Sequence, residues 1–228
     1  MEFPGLADRL GQVRAAIADR QRASGLRHPV SIIAVTKGHG PEAVRAALSA
    51  GLSVVGENRV QEAIAKQEAT AGLPVHWHLI GGLQRNKARQ AAGRFDLIHS
   101  VDRADLAAEL NHRTAPDARQ RVLVQVNCSA EPQKGGVEPG ALPGLLEEIL
   151  RLPRLEVGGL MTMAALTDDA GEQRRAFSLL RTLRDTAVAS GHSGPELSMG
   201  MSGDYLVAVE EGATMVRLGT LLFGERNP

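Results

Sequence analysis

The sequence predicts a (β/α)8 TIM barrel with an extra N-terminal helix, built by residues 1–228 as one domain. Three observations carry this. Eight short runs rich in β-branched residues recur along the chain, helical patterns fill the intervals, and 228 residues suffice for a barrel near the lower size limit of that fold. An open doubly wound sheet is the alternative, and it calls for a glycine-rich dinucleotide loop after the first strand. Lys37-Gly38-His39-Gly40-Pro41 does not supply that fingerprint. No linker, low-complexity stretch or repeat divides the chain, so a second domain is not expected.

The elements follow in order. Leu6, Leu10, Val13 and Ile17 recur at helical spacing before any strand, which predicts an amphipathic helix over the bottom or side of the barrel. The expected strands are 30–35, 52–55, 75–80, 97–101, 122–127, 157–163, 196–199 and 215–218. Helical stretches lie at 41–50, 58–71, 86–92, 103–113, 142–152, 169–190 and 203–211. Pro41 opens one helix and Gly51 closes it, Asn58 with Gln61 reads as a capping box, and Gly191 ends the longest helix.

Composition narrows the function. A hydrophobic content of 43% with 23% charge describes a globular chain able to bury a core, and 26 acidic against 26 basic residues leave no electrostatic footprint for nucleic acid or an anionic membrane. Small-molecule partners are favoured. The single cysteine, Cys128, excludes an internal disulfide, and no Cys/His cluster has zinc spacing. Met1-Glu2-Phe3-Pro4-Gly5-Leu6 lacks the basic start and apolar core of a signal peptide, and no apolar run approaches membrane-spanning length, so a cytoplasmic protein is expected.

In a barrel, functional residues gather beyond the carboxyl ends of the strands. Lys37, one of four lysines against twenty-two arginines, sits where the first strand breaks off into Thr36-Lys37-Gly38. A lysine at the mouth of a buried strand loses its proton by desolvation and attacks a carbonyl; the plainer reading is a side chain snorkelling out of a strand end. Gly56-Glu57-Asn58 follows the second strand and Gly81-Gly82-Leu83-Gln84-Arg85-Asn86-Lys87 the third. Ser198-Met199-Gly200-Met201-Ser202 follows the seventh, while Arg217 and Gly219-Thr220 end the eighth. The loops after strands seven and eight are where barrels bind phosphate. Ser202 offers a hydroxyl and Gly219-Thr220 a close backbone approach; taken singly, Ser202 is also an N-cap and Thr220 a turn residue.

A phosphate cradle facing a lysine describes a ligand with phosphate at one end and a carbonyl at the other. Pyridoxal 5'-phosphate (PLP) fits, with its aldehyde condensed on Lys37 as a Schiff base and Arg217 as the partner of its pyridine nitrogen. A permanent cation there discourages protonation of the ring nitrogen and makes the cofactor a poorer electron sink. A buried ion pair of Arg217 with Glu57 or Glu225 is the competing reading. Asn58 either meets the ring edge or caps its helix, and His78, inside strand three, reads as a satisfied core histidine.

These motifs resemble the YggS/PROSC family of pyridoxal phosphate homeostasis proteins. The likeness runs from about Ile32 to Gly224 and rests on Ala34-Val35-Thr36-Lys37, Gly56-Glu57-Asn58-Arg59-Val60-Gln61-Glu62, Trp77-His78-Leu79-Ile80-Gly81, Leu83-Gln84-Arg85-Asn86-Lys87, Gly159-Leu160-Met161-Thr162, Ser198-Met199-Gly200-Met201-Ser202 and Met215-Val216-Arg217-Leu218-Gly219-Thr220. The resemblance implies a barrel related to the N-terminal domain of alanine racemase, PLP on Lys37, a role in vitamin B6 homeostasis, and PLP-dependent apoenzymes as recipients. Lys134, in Gln133-Lys134-Gly135-Gly136, resembles the family's Lys-x-Gly loop and stands as a second amine at the mouth or as a solvated loop residue. Gly38-His39-Gly40 and Gly82 depart from the family pattern, and the first bears on how Lys37 is screened from water.

No catalytic reaction is expected. The chain leaves no room for the second domain of the related racemases and decarboxylases, which favours a monomer, and proton abstraction needs an acid/base opposite the lysine. Tyr205 reads as packing, Cys128 as a buried inert thiol, and Met161-Thr162-Met163 offers an apolar surface where the racemases carry histidine. A weakly active PLP-dependent racemase or decarboxylase and a cofactor-free Schiff-base aldolase are the alternatives.

Overall fold

The structure, a computed structural model, describes residues 3–129, 131 and 134–225. Eight parallel strands close into a barrel in sequential order, β1 to β8. They are β1 (Ser31–Val35), β2 (Val54–Glu57), β3 (His76–Leu79), β4 (Leu97–Val101), β5 (Gln120–Gln125), β6 (Leu155–Met161), β7 (Glu196–Ser198) and β8 (Met215–Leu218). Closure comes from β1 pairing with β8, Ser31 opposite Met215 through Ala34 opposite Leu218. The outer helices are α1 (Leu6–Ala23), α2 (Pro41–Ser49), α3 (Val60–Ala69), α4 (Ala88–Ala91), α5 (Ala104–Arg113), α6 (Leu142–Leu150), α7 (Ala170–Ala189), α8 (Tyr205–Glu210) and α9 (Thr220–Phe223). No described helix is long and apolar enough to cross a membrane.

Strand alternation sorts the apolar residues into two cores. Ile33, Leu97, Leu123, Met161 and Met215 fill the barrel interior, and the larger cluster packs the outer strand faces against the helices. The extra helix lies on the side of the barrel. Leu6, Leu10, Val13 and Ile17 of α1 are all buried, and α1 packs on α8 and α9, where Arg9 Nε donates to Leu222 O at 2.9 Å and Arg20 pairs with Glu210 at 2.7 Å.

Pro41 stands in the first turn of α2, and Gly51 and Gly191 close α2 and α7 by donating to Leu48 O and Val188 O, both at 2.9 Å. The capping box at Asn58 and Gln61 does not form: α3 starts at Val60 with extended Arg59 as its N-cap and no side-chain cap. Three strands lie about two residues from their expected places. β2 begins at Val54 because Ala34 pairs with Val55 and Val35 with Gly56, which leaves Leu52 to pack under the helices. β5 and β6 start together at Gln120 opposite Leu155, earlier than their β-branched content suggests. The short α9 after β8 was not expected from the sequence.

Candidate functional site

One cavity of about 690 Å³ opens at the carboxyl ends of the strands. That size suits a small organic ligand, for which roughly 300–1,000 Å³ is usual. Lys37, Asn58, Met201, Ser202, Arg217, Gly219 and Thr220 all line it, so residues separated by most of the chain meet in one space.

Lys37 is placed by a tight turn. His39 N donates to Thr36 O at 3.1 Å, which puts Lys37 and Gly38 at the two central positions, and Gly38 has φ +75°, a conformation costly for any residue with a Cβ. His39 departs from the family pattern, and the structure shows its use. Its ring lies 5.4 Å from Phe3 and 5.5 Å from Phe223, so the lysine turn is tied to the N-terminal segment and to α9 by an aromatic cluster.

Two strands round the barrel from β1, the β7–α8 loop turns sharply at Gly200, where φ is +92° and an added Cβ would come 2.6 Å from Ala208 Cβ. The loop then folds back on itself, Met201 N donating to the Asp204 carboxylate at 2.5 Å. Asp204, not Ser202, is the N-cap position of α8, so the hydroxyl of Ser202 is not spent on capping and faces Leu221 N at 3.4 Å. Gly219 and Thr220 begin α9, bringing N–H groups that a helix start leaves without intrahelical acceptors. Hydroxyls and amides of two adjacent loops thus surround one corner of the cavity, a donor set suited to a phosphate.

Arg217 forms the floor. It is 4% exposed, its Nη1 donates to Ser198 Oγ at 2.7 Å and its Nη2 to Thr162 O at 2.9 Å. The competing ion pair with Glu57 is absent, because Glu57 is engaged by Lys66 and Thr36. Burial lowers Arg217 to about 10, which leaves it cationic at neutral pH. Beneath it a hydrogen-bonded chain crosses the barrel: Ser198 Oγ lies 2.9 Å from His99 Nδ1, and His99 Nε2 lies 3.0 Å from His78 Nδ1. Arg217 has only hydrogens to give, so Ser198 accepts from it. Burial lowers His78 to about 4 and His99 well below its usual value, so both rings are neutral at neutral pH.

Two residues expected to bind ligand thus lie behind the cavity wall. Ser198 is fully buried and serves Arg217, and Gly200 shapes the loop and accepts the Arg217 N–H through its carbonyl at 2.9 Å. Lys134 is drawn away from the cavity, its Nζ donating to Ala164 O at 2.6 Å and paired with Glu131; Gln133 lies outside the described residues. Asn58 lines the cavity and does not cap α3. His78 is the satisfied core histidine expected. Tyr205 opens α8 half-buried, its phenol raised by burial, and burial pushes the Cys128 thiol up to about 11.

Sequence reasoning missed Asp102, Gln125, Thr167, Asp168 and Gln173, which also line the cavity. Asp102 carried a usable signal, because it directly follows β4 at the functional face. Gln125, the last residue of β5, carries the same positional signal, while Thr167, Asp168 and Gln173 sit in a loop and a helix with no distinguishing pattern.

Fold and site together define a class, a barrel whose functional end combines a strand-end lysine, an anion cradle and a buried arginine. The model of the family described as alanine racemase, N-terminal domain, matches residues 10–227. A pyridoxal phosphate homeostasis protein of Aquifex aeolicus is 45% identical over 208 residues, 90% of this chain and 91% of its own length. One from Pseudomonas aeruginosa is 42% identical over 226 residues, 97% of this chain and 96% of its own. The solved structure of PipY from Synechococcus elongatus PCC7942 with PLP bound matches with a TM-score of 0.83 at 39% identity, over 96% of this chain and 100% of that one. Alanine racemase from Corynebacterium glutamicum, at 20% identity and a TM-score of 0.68 over 92% of this chain and 60% of that one, shares the fold. The chain belongs to the pyridoxal phosphate homeostasis protein family, on the barrel of the alanine racemase N-terminal domain.

Proposed function

We propose that this protein holds PLP for vitamin B6 homeostasis, covalently through Lys37, and hands it to PLP-dependent apoenzymes without catalysing a reaction of its own. The observation that carries this reading is the meeting of Lys37, Arg217, Ser202, Gly219 and Thr220 on one cavity. The PLP aldehyde condenses with a primary amine, forming a C=N bond and releasing water, and exchanges reversibly between amines. Lys37 supplies that amine. Ser202 with the Met201, Gly219 and Thr220 backbone receives the phosphate, Arg217 faces the ring nitrogen, and Asn58 meets the ring edge.

The carrier reading draws support from Tyr205 and Cys128, neither of which is among the residues lining the cavity. Tyr205 and Cys128 are both shifted by burial away from the neutral range, as a poised acid/base is not. A monomer working in the cytoplasm belongs to the same proposal.

The test is the absorption spectrum of the purified protein before and after borohydride reduction, with peptide mapping of the modified lysine. A visible band that reduction fixes onto Lys37 is the expected result, and Lys37→Ala loses it while keeping the barrel folded by circular dichroism. A colourless protein that takes up no added PLP would return Lys37 to the aldolase reading. Retention of a reducible cofactor by Lys37→Ala would show that another amine carries it.

A further inference from the structure

The turn that presents Lys37 is anchored from behind by a buried lysine. Along β1 the side chains alternate: Ile33 enters the barrel interior, Val35 and Lys37 reach the cavity, and Thr36 points outward toward α3. There Lys66 of α3, 6% exposed, donates from Nζ to Thr36 O at 2.7 Å and to Glu57 Oε1 at 2.5 Å. Thr36 Oγ1 donates to the same Glu57 oxygen at 2.5 Å. The Thr36 carbonyl is also the acceptor that closes the Lys37 turn through His39 N. One oxygen therefore receives both the turn's own hydrogen bond and a charged donor from a neighbouring helix.

This arrangement is a poor way to gain stability. Desolvating an ammonium and a carboxylate costs several kcal/mol per ion, and well-packed apolar side chains in their place are often neutral or better. The pair is also incompletely satisfied, since Glu57 is fully buried and its Oε2 has no hydrogen-bond partner among the described residues. An expensive pair fastened to the peptide next to the cofactor lysine has its return in placing that lysine.

We propose that Lys66 is a positioning residue for Lys37. With Glu57 and Thr36 it fixes the turn at residues 36–39, so that the Lys37 amine stands at a set distance from the phosphate cradle. This rests on the PLP-holding reading above. An amine held in place by its turn keeps the covalent link in reach of its own re-formation, whereas a loosened turn releases the cofactor to competing amines. The ionisable groups sharing the cavity with Lys37 are His39, Asp102, Asp168, Asp204 and Arg217.

The experiment compares wild type, Lys66→Met and Lys66→Met/Glu57→Gln. The double variant removes both charges, so it avoids a stranded carboxylate where the single variant has one. PLP loss to excess free amine is followed by absorbance. In the PLP-free proteins, hydrogen exchange at the His39 amide and acylation of Lys37 by a small reagent are followed by mass spectrometry. Both variants are expected to lose PLP about tenfold faster or more, the scale on which small misplacement of a reacting group acts. The His39 amide is expected to exchange faster in the same proteins. A folded double variant with wild-type PLP loss and wild-type His39 exchange would overturn the proposal. So would a double variant unable to fold, since the pair would then hold the barrel and not the turn. If wild type takes up no PLP, the carrier reading fails by itself, while the exchange and acylation of the PLP-free proteins still decide whether Lys66 governs the turn.

Discussion

Ser198 shows that a side chain's partners are set by reach across the barrel as well as by its place in the chain. Its place at the end of β7 marked it as a ligand contact, and its hydroxyl is enclosed between Arg217 Nη1 and His99 Nδ1. His99 itself was illegible, because in Leu97-Ile98-His99-Ser100-Val101 it is one polar residue in an apolar run and its partner lies 99 positions on. Lys37, two residues beyond β1, and Arg217, one residue short of the end of β8, were legible as candidates because both lie at the face where barrels keep function. The network behind them depends on side-chain reach across the barrel, which no local pattern encodes. Ser198→Ala strands two buried donor or acceptor groups, each costing roughly 1–3 kcal/mol. Chemical denaturation of the PLP-free protein is expected to show a loss of about 2–3 kcal/mol, and Ser198→Thr, which keeps the hydroxyl, recovers much of it.

At the level of elements, the order and type of strands and helices followed from periodicity, since apolar spacing is a direct record of which face is buried. Strand ends did not follow, because pairing decides them: Glu57 was expected in a loop and is the last residue of β2, opposite Leu79. The partner of α1 was equally hidden, as an apolar stripe announces burial without naming what covers it. The β7–α8 connection joins the two kinds of information. Gly200 is required both by its φ of +92° and by the approach of α8, Tyr205 Cα lying 2.9 Å from the position of an added Cβ. Gly200→Ala therefore combines backbone strain with overpacking, each of order 1–3 kcal/mol. A stability loss of about 3 kcal/mol is expected by urea titration, with PLP held less tightly because Met201 and Ser202 move with the loop. Unchanged PLP retention in the folded variant would remove this loop from the phosphate site.

Across the whole molecule, the barrel interior has two tiers. Ile33, Leu97, Leu123, Met161 and Met215 make an apolar plug, and His78, His99, Ser198 and Arg217 make a polar floor between it and the cavity. The floor couples stability to pH. Burial holds His78 at about 4 in the fold, against 6.5 when exposed, so above pH 6.5 neither state binds the proton and this contribution is complete. As pH falls from 6.5 toward 4 the unfolded chain takes up a proton that the folded one refuses, and stability drops, by about 3 kcal/mol for His78 when the interval is traversed. His99, lowered well below its usual value by burial and by His78, acts in the same direction. Asp204 opposes them, because burial raises its carboxyl and the fold then binds a proton more readily than the unfolded chain. The histidine decline starts at the unfolded value of 6.5, so the upper part of the interval is where it is read. Denaturant-measured stability of the PLP-free protein is expected to be flat above about pH 7 and to decline below it. His78→Gln retains an amide to meet His99 and removes one titrating ring, so its decline is expected to be shallower in that upper part. Equal slopes in the two proteins would move the acid sensitivity away from the barrel floor and onto surface carboxylates such as Glu210, which Arg174 holds below the usual range and whose contribution is lost only at lower pH.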